Sequence, residues 1–182
     1  LYPSIIMTVN IGKETLVARI IDADDRNNRL GLNDLKLKDP SEELLIENSK
    51  RKRTKVKVKD LIGFIENNNW AISANGVMFN TNRRSVLATI LDKWFDERVE
   101  YKNKMKEAYK SGNEELGAAF HMKQYTMKIL LNSLYGATAL GSFRYGNVIL
   151  SEAITLSGQR IIQESALCAN RHMNKVIRNE IK

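Results

Sequence analysis

The period of the apolar positions changes along this chain. The opening, Leu1-Tyr2-Pro3-Ser4-Ile5-Ile6, is apolar and β-rich, but Pro3 interrupts any regular ladder. It predicts a strand end turning into a short helix or loop. Polar residues dominate 22–54, from Asp22, Asp24, Asp25, Asn27 and Asn28 to Lys38-Asp39-Pro40. That stretch predicts a surface excursion with a short helix near 41–49. Alternation in Lys55-Val56-Lys57-Val58-Lys59 predicts a half-exposed strand running into a helix that begins near Asp60. Residues 70–79 predict a hairpin. Ala71-Ile72-Ser73 and Val77-Met78-Phe79 flank Asn75-Gly76, a dipeptide that tolerates positive φ at both turn positions.

Residues 83–110 contain neither glycine nor proline. Val86, Leu87, Ile90, Trp94, Tyr101 and Met105 form a helical stripe there. Ser111-Gly112-Asn113-Glu114 ends this helix and offers Ser-x-x-Glu as a capping box for the next. A second helix over 114–135 completes a long antiparallel hairpin. An irregular link over 136–150 leads to a third helix over 151–178. That helix is apolar at Ile154, Leu156, Ile161, Ile162 and Leu167 and contains Gly158. The fold class is α+β, mostly helical, in three units at 1–82, 83–136 and 137–182.

Composition narrows the possibilities. With 182 residues and 43% hydrophobic content, the chain suits one ordinary domain or a slice of a larger enzyme. It begins at Leu1 and stops at Lys182 within a charged helix, so both ends are expected to be cuts in a longer chain. It contains no long apolar run and no basic-then-apolar leader, which predicts a soluble, intracellular protein without a membrane partner. Cys168 is alone, which excludes an internal disulfide framework. His121 and His172 are the only histidines, too few for a zinc site of usual composition.

The net charge of +8 suits a polyanionic partner. Its excess is spread out, at +2 over 1–82 (13 basic, 11 acidic), +3 over 83–136 (10 and 7) and +3 over 137–182 (6 and 3). One cluster stands out: Lys50, Arg51, Lys52, Arg53, Lys55, Lys57 and Lys59. It fits contact with DNA phosphates, and it fits equally a solvated strand edge whose lysines discourage aggregation.

Two strings carry candidate chemistry. In Lys128-Ile129-Leu130-Leu131-Asn132-Ser133-Leu134-Tyr135-Gly136, helical spacing puts Lys128, Asn132 and Tyr135 within a narrow arc. One face thus presents a cation, an amide and a phenol. Arg98 and Lys102 lie one turn apart on the preceding helix and project together. Three cations converging from two antiparallel helices can hold a triphosphate, Arg by a fork and Lys as a point charge. The plainer reading of Arg98 and Lys102 is a helix surface paired with Glu97 and Glu100. Asp22-Ala23-Asp24-Asp25 is a tempting metal cluster, but its polar surroundings, with Arg26 and Arg29, make it a loop or cap.

The opening Leu1-Tyr2-Pro3-Ser4-Ile5-Ile6 and the string from Lys128 to Gly136 resemble motifs A and B of the B-family DNA polymerases, whose patterns are Asp-x-x-Ser-Leu-Tyr-Pro-Ser and Lys-x-x-x-Asn-Ser-x-Tyr-Gly. Arg98 with Lys102, Phe143-Arg144-Tyr145 and Ala153-Ile154-Thr155 continue the resemblance, which spans almost the whole chain and is thinnest over 20–70. Asn10-Ile11-x-x-Glu14-Thr15 most resembles polymerases of large tailed phages.

The resemblance implies a partial palm with a polar insertion over 1–82, a protruding fingers hairpin over 83–136, and a return to the palm over 137–182. It implies a parent enzyme for template-directed DNA synthesis, in which a primer 3′-oxygen attacks the α-phosphorus and pyrophosphate leaves. Partners are then primer–template DNA, deoxynucleoside triphosphates, two Mg²⁺ ions and the remainder of the polymerase chain, in the cytoplasm of an infected or bacterial host. Arg98, Lys102 and Lys128 would take phosphates and Asn132 the nucleotide. Tyr135 would sit near the nascent pair and its minor groove. Tyr2 would lie beneath the sugar and exclude a 2′-hydroxyl, and Leu1 would offer its backbone N–H to the phosphates. The family's motif A aspartate falls upstream of Leu1, and no Tyr-Gly-Asp-Thr-Asp occurs before Lys182. No catalytic carboxylate or metal ligand is therefore expected within the chain, which alone is expected not to extend a primer. Two alternatives are a non-catalytic basic module that binds nucleic acid and one subunit of a split polymerase. Tyr2 and the Lys128 face favour the nucleotide reading, since a simple phosphate binder needs neither.

Overall fold

In the computed structural model, which describes residues 1–21 and 29–180, short paired strands give way to long helices. Helix α1 (Tyr2–Val9) begins at once, because Pro3 stands in its first turn. There the missing N–H would have no partner anyway, and the fixed φ suits a helix. No strand end precedes it among the described residues. Strand β1 (Leu16–Ile21) follows. The Asp22–Asp25 run lies outside the described residues.

After the short α2 (Leu32–Leu35), the helix expected near 41–49 is instead strand β2 (Glu43–Asn48). Cross-strand partners decide this. Ile46 faces Ile20 of β1, and Leu44 faces Val56 of β3 (Arg53–Lys57). Non-local pairing thus outweighs the weak local signal. β3 runs directly into α3 (Val58–Asn67), as the alternation predicts. Strands β4 (Trp70–Ile72) and β5 (Val77–Asn80) form the expected hairpin. Its turn differs in detail, since Gly76 takes positive φ (80°) and Asn75 does not. The Gly76 N–H donates to Ser73 O at 3.0 Å, and the Ser73 N–H donates to Val77 O at 2.9 Å. This is a longer turn closed by one left-handed glycine.

All pairings in the five-stranded sheet are antiparallel, in the order β3-β2-β1-β5-β4. Two cores lie on its two sides, and β5 belongs to both. Val77 and Phe79 enter one cluster, while Met78 enters the other with Ile20, Val58, Leu61 and Ile65. A strand buried on both faces has no polar side, hence the unbroken Val-Met-Phe.

The first cluster joins Ile5 and Ile6 of α1 to three long helices. Helix α4 (Val86–Lys110) contributes Leu87 and Leu91, α5 (Glu114–Thr138) contributes Leu131 and Leu134, and α6 (Val148–Glu180) contributes Leu150, Ala153 and Ile154. α4 and α5 run antiparallel. Gly117 lies against the Tyr109 ring, Phe120 stacks with Tyr101 at 6.4 Å, and Arg98 shares a cleft with Lys128. The cap between them is Asn113, whose side chain accepts from the Leu116 N–H. The expected Ser-x-x-Glu box does not form, because Ser111 ends α4 and its hydroxyl turns back to Ala108 O at 2.9 Å. Along α6, Ile161, Ile162 and Leu167 are exposed rather than core. In its first half the helix is anchored where the Ser157 hydroxyl accepts from the Ala74 N–H and Arg160 pairs with Asp34 at 2.9 Å. No described helix is long and apolar enough to cross a membrane.

Candidate functional site

The junction of α1 with the α4–α5 hairpin is fixed by the Asn10-Ile11-x-x-Glu14-Thr15 string. Asn10 ends α1 in the left-handed region (φ 61°) and is buried. Its side-chain N–H groups donate to Asn80 O at 2.7 Å and Arg83 O at 2.8 Å, while its carbonyl accepts from the Ser85 N–H at 2.8 Å. The Thr15 hydroxyl donates to Asn10 O at 2.7 Å. Glu14 accepts from the Val86 N–H at 2.6 Å, which places a carboxylate at the positive end of α4. Ser85 caps the same helix by accepting from Ala88 N–H at 3.0 Å. Arg84 forks onto Asp92 through two bonds of 2.8 Å and donates to Met7 O at 2.6 Å. The string is therefore a clamp that orients α4 on α1.

The clamp leaves a cleft of about 120 Å³ between the start of α1 and the facing sides of α4 and α5. Leu1, Ser4, Arg98, Lys128 and Asn132 line it, with Phe95 and Leu131 as apolar walls. Four of the expected site residues, Leu1, Arg98, Lys128 and Asn132, thus meet here. Arg98 Nε is buried and has no hydrogen-bond partner among the described residues. A buried donor left this way costs about 1–3 kcal/mol. Glu97 and Glu100 do not claim the cations. Glu97 lies 3.9 Å from Lys93, and Glu100 lies 2.5 Å from Lys104, whose ammonium that hydrogen bond holds above its ordinary value. Lys128 Nζ sits 6.0 Å from the Tyr125 ring centroid. Lys102 is exposed one turn farther along α4 and does not line the cleft.

Tyr2 and Tyr135 form the adjoining wall, their rings stacked at 4.3 Å and 24°. The Tyr135 hydroxyl shares a 2.8 Å hydrogen bond with Thr155 Oγ1, and Thr155 in turn donates to Ser151 O. A Cβ at Gly158 would come within 3.0 Å of the Tyr2 ring. The roles of Thr155 and Gly158 escape sequence reasoning, because the contacts join residues far apart in the chain. Only the Ala153-Ile154-Thr155 string hints at the first.

Chemically, the cleft presents two cations and an amide at the start of a helix, beside stacked aromatic rings. It suits an anion attached to a flat or cyclic group. No carboxylate lines it, and among the described residues no group of three or more His, Cys, Asp or Glu is placed to hold a metal.

The basic cluster lies elsewhere. Lys50, Arg51 and Lys52 form the β2–β3 turn, Arg53, Lys55 and Lys57 lie on the edge strand β3, and Lys59 opens α3. Arg53 pairs with Glu47 at 3.2 Å, Arg19 pairs with the same carboxylate at 2.9 Å, and Lys55 lies 3.7 Å from Glu43. The Arg19 hydrogen bond, with help from Arg53, holds the Glu47 carboxyl below its ordinary value.

A family profile described as DNA polymerase family B matches residues 1–182. The DNA polymerase catalytic subunit of human herpesvirus 7 (strain JI) is 32% identical over 82 residues, 45% of this chain and 8% of that protein. The structure of the family B DNA polymerase from the hyperthermophilic archaeon Pyrobaculum calidifontis superposes with a TM-score of 0.59 at 15% identity. It covers 93% of this chain and 17% of the archaeal one. The chain thus spans less than a fifth of either relative.

Proposed function

Because the chain belongs to DNA polymerase family B, we propose that the cleft between α1, α4 and α5 receives the triphosphate of an incoming deoxynucleotide during template-directed DNA synthesis by a larger polymerase. Residues 83–136 then act as fingers. Residues 1–82 and 137–182 belong to the palm. Arg98 and Lys128 take phosphate oxygens, the start of α1 at Leu1 adds backbone N–H groups, and Asn132 meets the nucleotide beyond the phosphates. Lys102, one turn out, meets a phosphate when the hairpin closes. Tyr2 lies beneath the sugar with Tyr135 beside the nascent base pair, and a ring in that place leaves no room for a 2′-hydroxyl.

The observation that carries this reading is that Arg98 and Lys128, from two helices, meet Asn132 in one cleft that no carboxylate lines. Family B polymerases use Mg²⁺, but the donors of this cleft suit an anion and not a metal ion, so no metal step is assigned to it. The chain's own part is to bind and orient the triphosphate and to select its sugar. On its own it is expected not to extend a primer, and metal-dependent incorporation by the purified chain would overturn that expectation.

The test is equilibrium binding of a fluorescent deoxynucleoside triphosphate to the 182-residue chain. Lys128→Ala and Arg98→Ala should each weaken binding about tenfold or more, the worth of one hydrogen bond to a charged partner. Binding of the unphosphorylated nucleoside should not change. Equal losses for nucleoside and triphosphate, or no loss for either, would remove the reading and favour a basic nucleic-acid-binding module.

A further inference from the structure

A second basic surface lies on the far core of the sheet, away from the triphosphate cleft. Between the edge strand β3 and helix α3 is an open hollow of about 690 Å³, lined by Lys55, Lys57, Lys59, Phe64 and Asn67. We infer that this hollow binds single-stranded nucleic acid, with one base stacked on Phe64 and the flanking phosphates on the three lysines.

Phe64 is the first argument. The core face of α3 is already supplied by Val58, Leu61 and Ile65, all buried, whereas Phe64 is 53% exposed on the hollow. An aromatic side chain the core does not use, set among cations, is the arrangement that stacks unpaired bases while its charges track the backbone. Gly63 is the second argument. It lines the hollow beside Phe64, and a Cβ there would meet nothing within 4 Å. Packing does not demand a glycine at this helical position, where alanine would be more stable. Its effect is to leave the floor next to the ring open to a flat group.

The charges are free to serve. Lys57 and Lys59 make no ion pair among the described residues, and the 3.7 Å pair of Lys55 with Glu43 is exposed on both sides. Such a pair contributes little and is readily exchanged for phosphate. Glu43 and Asp60 also line the hollow and can accept from base amino groups, as Asn67 can in either sense. Lys50, Arg51, Lys52 and Arg53 carry the basic track onward along the same edge. A duplex keeps its base faces stacked and offers Phe64 nothing, so a single strand is the better fit. This inference does not rest on the triphosphate cleft, with which it shares no residue.

The experiment measures anisotropy of a labelled oligothymidylate on the 182-residue chain, beside a duplex of equal length, across a salt series. Phe64→Ala should weaken single-strand binding about fivefold or more while leaving the duplex within about twofold. Phe64→Trp should restore it. Replacing Lys55, Lys57 and Lys59 together by glutamine should flatten the slope of log affinity against log salt by about 2, from roughly 0.7 per phosphate contact. All four positions are exposed, so circular dichroism should report an unchanged fold. Equal losses for duplex and single strand, an unchanged salt slope, or polyglutamate competing as well as the oligonucleotide would each overturn the inference. Lys128→Ala should leave this binding intact, so failure here and failure of the cleft are separable.

Discussion

At the scale of single residues, Tyr2 stacks on the Tyr135 ring at 4.3 Å and lies against the bare backbone of Gly158. Two opposing effects meet at Gly158. Alanine in a helix interior is favoured over glycine by about 1 kcal/mol. Forcing a methyl into a filled site costs about 1–3 kcal/mol, and here it would stand 3.0 Å from a ring that already rests on another. Gly158→Ala should therefore leave stability unchanged or lower it by up to about 2 kcal/mol. In a Tyr2→Ala background the clash is gone, and the same change should stabilise by about 1 kcal/mol. Urea unfolding of the four proteins measures the difference. The same sign and size in both backgrounds would mean that Gly158 does not set the depth of Tyr2.

Among the elements, Asn10 ties the end of α1 to the start of α4 by hydrogen bonds, beside the apolar contacts of Ile5 and Ile6 with Leu87 and Leu91. Asn10→Ala removes three hydrogen bonds, to the backbone of Asn80, Arg83 and the buried Ser85, and puts a Cβ residue without a polar side chain at φ 61°. The expected loss is on the order of 3 kcal/mol, with the buried Ser85 N–H left unpaired. Asp is the informative comparison, because it keeps the acceptor for Ser85 but sets a buried carboxylate oxygen against the Asn80 and Arg83 carbonyls, so it should cost at least as much as Ala. Chemical denaturation checks the order, and an Asn10→Ala loss below about 0.5 kcal/mol, the size of an ordinary surface change, would show that the clamp is unnecessary.

This junction also shows what could be read in advance. Asn10-Ile11-x-x-Glu14-Thr15 is visible as a string, but its partners Asn80, Arg83, Ser85 and Val86 lie some 70 residues downstream. Only the fold supplies them. The long helices were legible because their apolar stripes repeat over many turns. β2 was not, because Leu44 and Ile46 signal a strand only once Val56 and Ile20 stand opposite them. The distal part of α6 misled for the opposite reason. Ile161, Ile162 and Leu167 keep helical spacing, yet nothing described here covers them.

At the scale of the whole molecule, the two cores on either side of β5 divide the work. One builds the cleft from α1, α4, α5 and α6, and the other carries the basic edge of β3 and α3. Convergence of Arg98 and Lys128 was readable from helical spacing and the hairpin. Exclusion of Lys102 from the cleft was not, since one turn of α4 decides it. The measurement that bears most directly on the proposed nucleotide site is photolabelling of the chain with an azido-deoxyadenosine triphosphate, with the modified residues located by mass spectrometry. Label is predicted near Tyr2 and on α5 between Lys128 and Tyr135, and excess unlabelled triphosphate should abolish it. Label spread over α6, or confined to β3 and α3, would contradict a nucleotide site between α1 and the α4–α5 hairpin.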